Sequence, residues 1–216
     1  MGVKLKLSHG FSKQLMFILF AGLGCTSAYA NPKGYVLNIE LSPALCKIEN
    51  AQKRMRQCLE GYSLSVAGLY PIEHSRPCQT SNSLVLTPVQ KRVLMRIMPD
   101  ENVQMRLWRD VGGCIAMSSQ QYVRLMVTYA ERLKIAEEFS TASNLKVNRD
   151  WLEKRFIQQN AGMTHKTFNF SCGTLSRNTT VLTKIQVCYK SDGRYGECPT
   201  TPIESCPDQF MIQGSY

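Results

Sequence analysis

Alternating apolar and polar positions mark the strands of this chain. Residues 35–41 alternate in this way, and residues 62–69 form a more apolar run that leads into Pro71. Alternation with period two is typical of a half-buried strand, and proline ends a strand because it has no ladder donor. Residues 167–172 and 181–188 alternate likewise, and a Ser-Asp-Gly turn follows the second of these segments. The pattern predicts a strand at each place.

Apolar residues at helical spacing mark the helices. Thr87 to Gln90 has the residues of a capping box, and the helix that follows should end at Met98-Pro99. A short helix is expected over about 103–109, and the longest stripe runs from Gln120 to Phe139. Asn148 can cap one more helix. In that helix four apolar side chains should face inward: Trp151, Leu152, Phe156 and Ile157.

This order of elements predicts an α+β domain, in which helices pack on a mainly antiparallel sheet. The tail after Pro199 carries further prolines, and a cysteine tethers it only at Cys206. The pattern leaves open whether the last residues of the tail are ordered.

The N-terminus predicts export. Residues 1–30 contain lysines, then an apolar run, then the small-x-small sequence Ala-Tyr-Ala, as a secretory signal peptide does. Cleavage before Asn31 would leave one domain over 31–216. The signal indicates a bacterial host and a periplasmic or cell-envelope location. Its apolar run is too short for a comfortable membrane span, so no transmembrane segment is expected in the mature chain.

A lipoprotein is the alternative interpretation of the same N-terminus. Leu23-Gly24-Cys25 is a fragment of a lipidation signal, although Gly22 stands where that signal has an aliphatic residue. Whether Cys25 carries a lipid therefore stays open.

Apart from Cys25, the chain has eight cysteines, and an even number behind a signal peptide predicts four disulfides in an oxidising compartment. Spacing alone cannot choose among roughly a hundred pairings. There is no Cys-x-x-Cys, and outside the signal only His74 and His165 could supply imidazole. The sequence therefore predicts no metal site and implies no cofactor.

The formal net charge is +10, and +7 without the three lysines of the signal peptide. A basic balance permits contact with nucleic acid, anionic lipid or an acidic protein face, and selects none of them. The charges form no dense run, which favours a solvated basic surface. The loose groups are Lys53, Arg54 and Arg56; Lys91, Arg92 and Arg96; Lys184, Lys190 and Arg194.

Two segments carry a resemblance to a known family. Residues 67–71 read Ala-Gly-Leu-Tyr-Pro, and residues 106–114 read Arg-Leu-Trp-Arg-Asp-Val-Gly-Gly-Cys. They resemble the active-site motifs His-Gly-Leu-Trp-Pro and His-Glu-Trp-x-Lys-His-Gly-Thr-Cys of the T-two-type ribonucleases, secreted base-nonspecific endoribonucleases. A Ser-Pro-x-x-Cys element at 42–46 is also in register, and the resemblance spans 35–206.

The chain matches the family at residues that pack, and it differs from the family at residues that carry out the family's reaction. The matching residues are Gly68, Leu69, Pro71, Trp108, Gly112 and Cys114. The family's histidines correspond to Ala67, Arg106 and Val111, its glutamate to Leu107 and its lysine to Asp110. Alanine and valine cannot transfer protons, and a guanidinium does not deprotonate in proteins. The resemblance therefore implies a catalytically dead member with no catalytic residue, unless His74 and His165 form a rebuilt pair.

The resemblance also implies the disulfide pairing, namely Cys46–Cys58, Cys78–Cys114, Cys172–Cys206 and Cys188–Cys198.

Three hypotheses of function follow. The first is a non-catalytic structural or interaction subunit with a protein partner in the cell envelope, such as a secretion-system assembly. The second is a module that binds RNA, nucleotide or another anion through Tyr70, Arg106 and Arg109. The third is a residual endoribonuclease. A broad apolar patch would favour the first hypothesis, and an open cleft with converging arginine and aromatic groups would favour the second.

Overall fold

A computed structural model of the chain describes residues 32–50, 52–73, 79–199 and 206–215. The signal peptide expected at 1–30, Cys25, His74 and Cys78 lie outside these residues. Within them the chain has the predicted α+β fold, in which strands of one sheet and the helices share a hydrophobic core. No helix in this part of the chain is long and apolar enough to cross a membrane.

The sheet is mainly antiparallel, as predicted. Its strand order is β2-β1-β5-β6-β3, and β4 pairs with the other edge of β5. One parallel contact, between Val181 and Met211, joins β5 to β6. The strands are β1 Gly34–Leu41, β2 Leu64–Pro71, β3 Leu145–Asn148, β4 Phe168–Ser176, β5 Thr179–Lys190 and β6 Gln209–Ile212.

Four of the six helices begin at a side-chain cap. Thr87 Oγ1 accepts a hydrogen bond from Gln90 N at 3.2 Å, and Gln90 Oε1 accepts one from Thr87 N, so the predicted capping box is confirmed. Asn148 caps its helix through the backbone N–H of Trp151. The helices are α1 Ser42–Ile48, α2 Arg56–Leu59, α3 Pro88–Ile97, α4 Glu101–Asp110, α5 Ser119–Arg132 and α6 Arg149–Gln159.

The prediction that α5 continues to Phe139 was wrong, because the helix ends at Arg132. Lys134 N donates to Asn160 Oδ1 at 2.8 Å, and Asn160 Nδ2 donates to Lys134 O at 2.9 Å. A distant side chain thus takes both backbone groups that a continuing helix would use. The chain is extended at Leu133, and a short 3₁₀ turn at Glu137–Ser140 contains the buried Phe139.

The described part of the tail, residues 206–215, is ordered. It forms β6, which pairs antiparallel with β3, a second strand that the sequence analysis missed. Phe210 and Ile212 are buried, and Ser215 N donates to Thr141 O at 2.9 Å. Residues 209–212 are therefore part of the sheet. Strand pairing and backbone hydrogen bonds hold this part of the tail in addition to the disulfide at Cys206.

The core is one contiguous cluster between the sheet and the helices. Leu152 and Phe156 of α6 are fully buried, but Trp151 is 48% exposed, so the prediction that it faces inward was wrong. The cap at Asn148 fixes the rotation of α6, and the i, i+4 pair then occupies the core side. Trp151 lies about 100° around the helix from Leu152.

Three disulfides join described cysteines in the pairs that the resemblance implies: Cys46–Cys58, Cys172–Cys206 and Cys188–Cys198. Cys114 is also disulfide-bonded. Its expected partner, Cys78, lies outside the described residues.

We expect non-reducing peptide mapping of the purified protein to recover Cys78 linked to Cys114, with no free thiol among residues 31–216. This bridge would close a loop of moderate length and should stabilise the fold by about 3–4 kcal/mol, mainly by restricting the unfolded chain. Recovery of either cysteine in alkylated form, or bridged to a second chain, would refute this pairing.

Candidate functional site

The first motif lies on β2 at a break in the sheet register. Asn38 of β1 pairs with Gly68, and Ile39 pairs with Val66, so Ala67 is the extra residue of a β-bulge. Bulges bend a strand and aim a side chain out of the regular alternation, and they are frequent next to active sites. Gly68 has a φ of +152°, and a Cβ there would lie 2.6 Å from Leu107 Cδ1. The backbone conformation next to Ala67 therefore requires glycine at position 68.

The second motif lies at the C-terminal end of α4. Asp100 caps this helix by accepting hydrogen bonds from Asn102 N and Val103 N. Trp108 is buried, and its Nε1 donates to Asn82 O at 2.8 Å. A Cβ on Gly112 would lie 2.7 Å from the Tyr122 ring. The matching tryptophan and glycine of this motif are thus explained by packing.

The two motifs meet in one cleft of about 380 Å³, with β2 on one side and α4 on the other. Tyr70 lines this cleft, which we call the motif cleft. All five positions that the resemblance assigns to family chemistry also line it: Ala67, Arg106, Leu107, Asp110 and Val111. The structure therefore brings together positions that are about forty residues apart in the sequence.

Arg109 is the exception among the proposed binding residues, because it does not line the motif cleft. Its Nε donates to Asp110 Oδ1 at 2.7 Å, and its Nη2 donates to Asp110 Oδ2 at 3.0 Å. This hydrogen bonding lowers the pKa of the Asp110 carboxyl. At neutral pH, residue 110 therefore contributes an ionised and already paired carboxylate.

Three of the five positions offer only carbon to the motif cleft. Leu107 and Val111 are each 6% exposed and belong to the hydrophobic core, and Ala67 has only a methyl group. Arg106 is exposed and makes no hydrogen bond or ion pair with any described residue. Its guanidinium is the one side chain at these positions that is open to an anion.

Sequence reasoning missed Glu40, a residue of β1 that also lines the motif cleft. Its carboxylate makes no hydrogen bond or ion pair within the described chain. Burial raises the pKa of this carboxyl, and Lys184 on the neighbouring strand partly offsets that effect. The alternation of β1 could have identified Glu40. The apolar positions 35, 37, 39 and 41 face inward, so Glu40 lies on the opposite face of the strand.

Tyr70 lies between these charges. Burial raises the pKa of its hydroxyl, Glu40 raises it further, and Arg106 lowers it. Because the pKa is raised above the ordinary tyrosine value, the hydroxyl remains protonated at neutral pH and can donate a hydrogen bond.

His165 is elsewhere on the surface. Its Nδ1 lies 2.9 Å from Glu153 Oε2, and it does not line the motif cleft. His74, the other member of the hypothetical rebuilt pair, lies outside the described residues. Within the described ranges, no group of three or more His, Cys, Asp or Glu side chains could hold a metal ion.

No family model matches this sequence, and no curated protein matches it. Solved structures do match at low identity. Ribonuclease MC1 from bitter gourd seeds is 15% identical over 82% of this chain and 98% of its own, with a TM-score of 0.61. The self-incompatibility-associated SF11-RNase of Nicotiana alata is 11% identical over 85% and 100%, with a TM-score of 0.64. Japanese pear S3-RNase is 17% identical over 85% and 99%, with a TM-score of 0.62.

At such identities the likeness establishes the fold alone. The chain has the fold of the T-two-type ribonucleases.

Proposed function

We propose that this chain is an exported protein that keeps the ribonuclease fold without the ribonuclease reaction, and that it acts as an interaction subunit. One observation carries the proposal: no described residue that lines the motif cleft is a histidine or lysine. Ala67, Leu107 and Val111 present only carbon where the family reaction needs proton transfer and charge stabilisation. The scaffold around them is intact, which is the pattern expected when the fold itself is useful.

Export to a bacterial periplasm is part of this proposal. The signal-like residues 1–30 support it, and so do the disulfides, which persist in oxidising compartments. In this location residues 31–216 would form one domain that binds a protein partner of the cell envelope, for which a secretion-system assembly is a suitable setting.

Exposed apolar side chains indicate where the partner binds. Val85, Val89 and Met105 are 62%, 66% and 55% exposed. Met105 lies at a groove of about 440 Å³, whose apolar lining also includes Leu84, Leu86 and Trp108. We call Leu84 to Leu86 with Met105 the apolar surface. It fits a protein partner, since binding energy concentrates where an apolar anchor fills a pocket.

The variant Val85→Asp with Met105→Asp should abolish function in a deletion strain, and it should lose the partner in affinity purification from envelope extracts. A charge in an apolar anchor site costs about 2 kcal/mol or more, so two should weaken binding by more than about a hundredfold. The matched variant, Arg106→Ala, should complement fully, because Arg106 lines the motif cleft and not the groove beside Met105.

The reverse result would contradict the interaction proposal. If the Arg106→Ala variant is exported and folded but inactive, whereas the aspartate variant still complements, then the motif cleft is the functional site. Circular dichroism and resistance to protease would establish folding of both variants.

One observation favours a second candidate function, the binding of RNA, nucleotide or another anion in the motif cleft. Arg106 is unpaired there and lies near the Tyr70 ring, so a phosphate and a base could each find a contact. The carboxylates of Glu40 and Asp110 line the same cleft, and they disfavour a polyanion. The candidate is therefore second to protein binding.

A further inference from the structure

A second concave site lies apart from the motif cleft, where the end of α5 meets the turn that follows β5. It encloses about 490 Å³. Among the described residues, three cationic side chains line it, Arg132, Lys190 and Arg194, together with Tyr189 and Tyr195, and no carboxylate does. We call this site the basic groove. The sequence could not reveal it, because Arg132 is 58 residues before Lys190 and belongs to another element.

The cations of the basic groove are open to a ligand. The side chains of Arg132 and Lys190 are exposed and make no hydrogen bond or ion pair with other described residues. Arg194 is paired with Asp192, whose Oδ2 lies 2.8 Å from Nε and 2.7 Å from Nη2. This pair leaves part of the guanidinium unbonded. The groove keeps a positive potential because Asp192 offsets only one of the three charges.

Backbone hydrogen bonds fix the turn that carries Lys190 and Arg194. Lys190 N donates to Arg194 O at 2.8 Å, and Gly193 N donates to Lys190 O at 2.9 Å, which closes a tight turn. Gly193 has a φ of +83°, and its ideal Cβ position lies 3.0 Å from Arg132 Nη1. A side chain at residue 193 would therefore displace Arg132 from the turn.

The aromatic floor of the basic groove is also fixed. Tyr129 and Tyr189 stack with their ring centroids 4.3 Å apart, and Tyr195 follows at 5.3 Å from Tyr189. The Tyr195 hydroxyl donates to Asn160 Oδ1 at 3.2 Å. Tyr195 is half-buried, so part of a rigid ring faces the groove beside the cations.

We propose that the basic groove is a binding site for a phosphate ester. Guanidinium groups match phosphate oxygens with paired hydrogen bonds, and an ammonium adds a point charge. The Tyr195 ring gives the organic part of the ester an apolar face to lie on. This chemistry occurs both in soluble phosphate esters and in phospholipid headgroups, and the site is independent of the interaction surface proposed above.

Two probes test the proposal and distinguish the two sources. Calorimetric titration with ADP measures binding of a soluble ester. Co-sedimentation with phosphatidylcholine vesicles, with and without phosphatidylglycerol, measures binding of an anionic headgroup. The test variant is Arg132→Ala with Lys190→Ala. The matched control is Arg92→Ala with Arg96→Ala, which removes the same charge from exposed positions of α3 whose side chains pair with no described residue.

We expect the unmodified protein to bind at least one of the two probes, the test variant to bind it at least about tenfold more weakly, and the control variant to bind it normally. ADP binding would identify a soluble ligand, and binding only to phosphatidylglycerol vesicles would identify a lipid headgroup. Absence of binding to both probes would overturn the proposal. An equal loss in the control variant would also overturn it, because the binding would then reflect net charge alone.

Discussion

Purified protein incubated with single-stranded RNA from about pH 4 to about pH 8 should release no product above the blank. Each general acid or base is typically worth about 10²–10⁴ in rate, so the lack of both should cost about 10⁴–10⁸ relative to an active ribonuclease of this fold. Ala67 and Val111 have hydrocarbon side chains and cannot supply either function. The measurement is gel or fluorescence detection of cleavage, with an active T-two-type enzyme as the positive control.

The informative controls are His74→Ala and His165→Ala. If the purified protein cleaves RNA and one of these variants does not, the chain uses a histidine outside the two motifs, and the non-catalytic proposal fails. Cleavage that survives in both variants but is removed by Glu40→Gln would instead assign the reaction to the carboxyl in the motif cleft. The His165 imidazole is bonded to Glu153 away from that cleft, so no effect of its removal is expected.

The sequence correctly predicted the features that depend only on residues close together in the chain. The capping box at Thr87 and the cap at Asn148 place the starts of α3 and α6 because each is satisfied within one turn. The strands at 35–41 and 181–188 have enough alternation to be recognised in isolation. The motif cleft was predicted through the resemblance, because residues that fix a backbone geometry, such as Gly68 and Gly112, remain in place.

Features that depend on distant residues could not be predicted. The end of α5 is set by Asn160, and the strand at the tail exists because β3 and β5 offer it edges. The four-residue strands β3 and β6 are too short for a periodic pattern to be recognised. The basic groove likewise requires the close approach of α5 to the turn after Lys190.

The largest stability effect is expected at Phe156, which is fully buried in a cluster of phenylalanines. Its ring centroid lies 5.2 Å from that of Phe168, 5.6 Å from that of Phe139 and 6.0 Å from that of Phe170. Phe156→Ala should reduce the free energy of unfolding by about 3–5 kcal/mol, because the lost burial adds to the cost of a cavity that rigid neighbouring rings cannot fill.

Trp151→Ala is the matched control, since it removes a larger aromatic side chain from the same helix. Trp151 is about half exposed, so we expect this change to cost less than about 1 kcal/mol. Urea unfolding of the oxidised proteins, followed by far-ultraviolet circular dichroism, measures both changes without relying on tryptophan fluorescence. A loss at Trp151 that equals or exceeds the loss at Phe156 would mean that α6 is rotated relative to the structure described, with its tryptophan in the core. The inverse order is expected if Phe156 lies on the inward face of the helix and Trp151 lies at its edge.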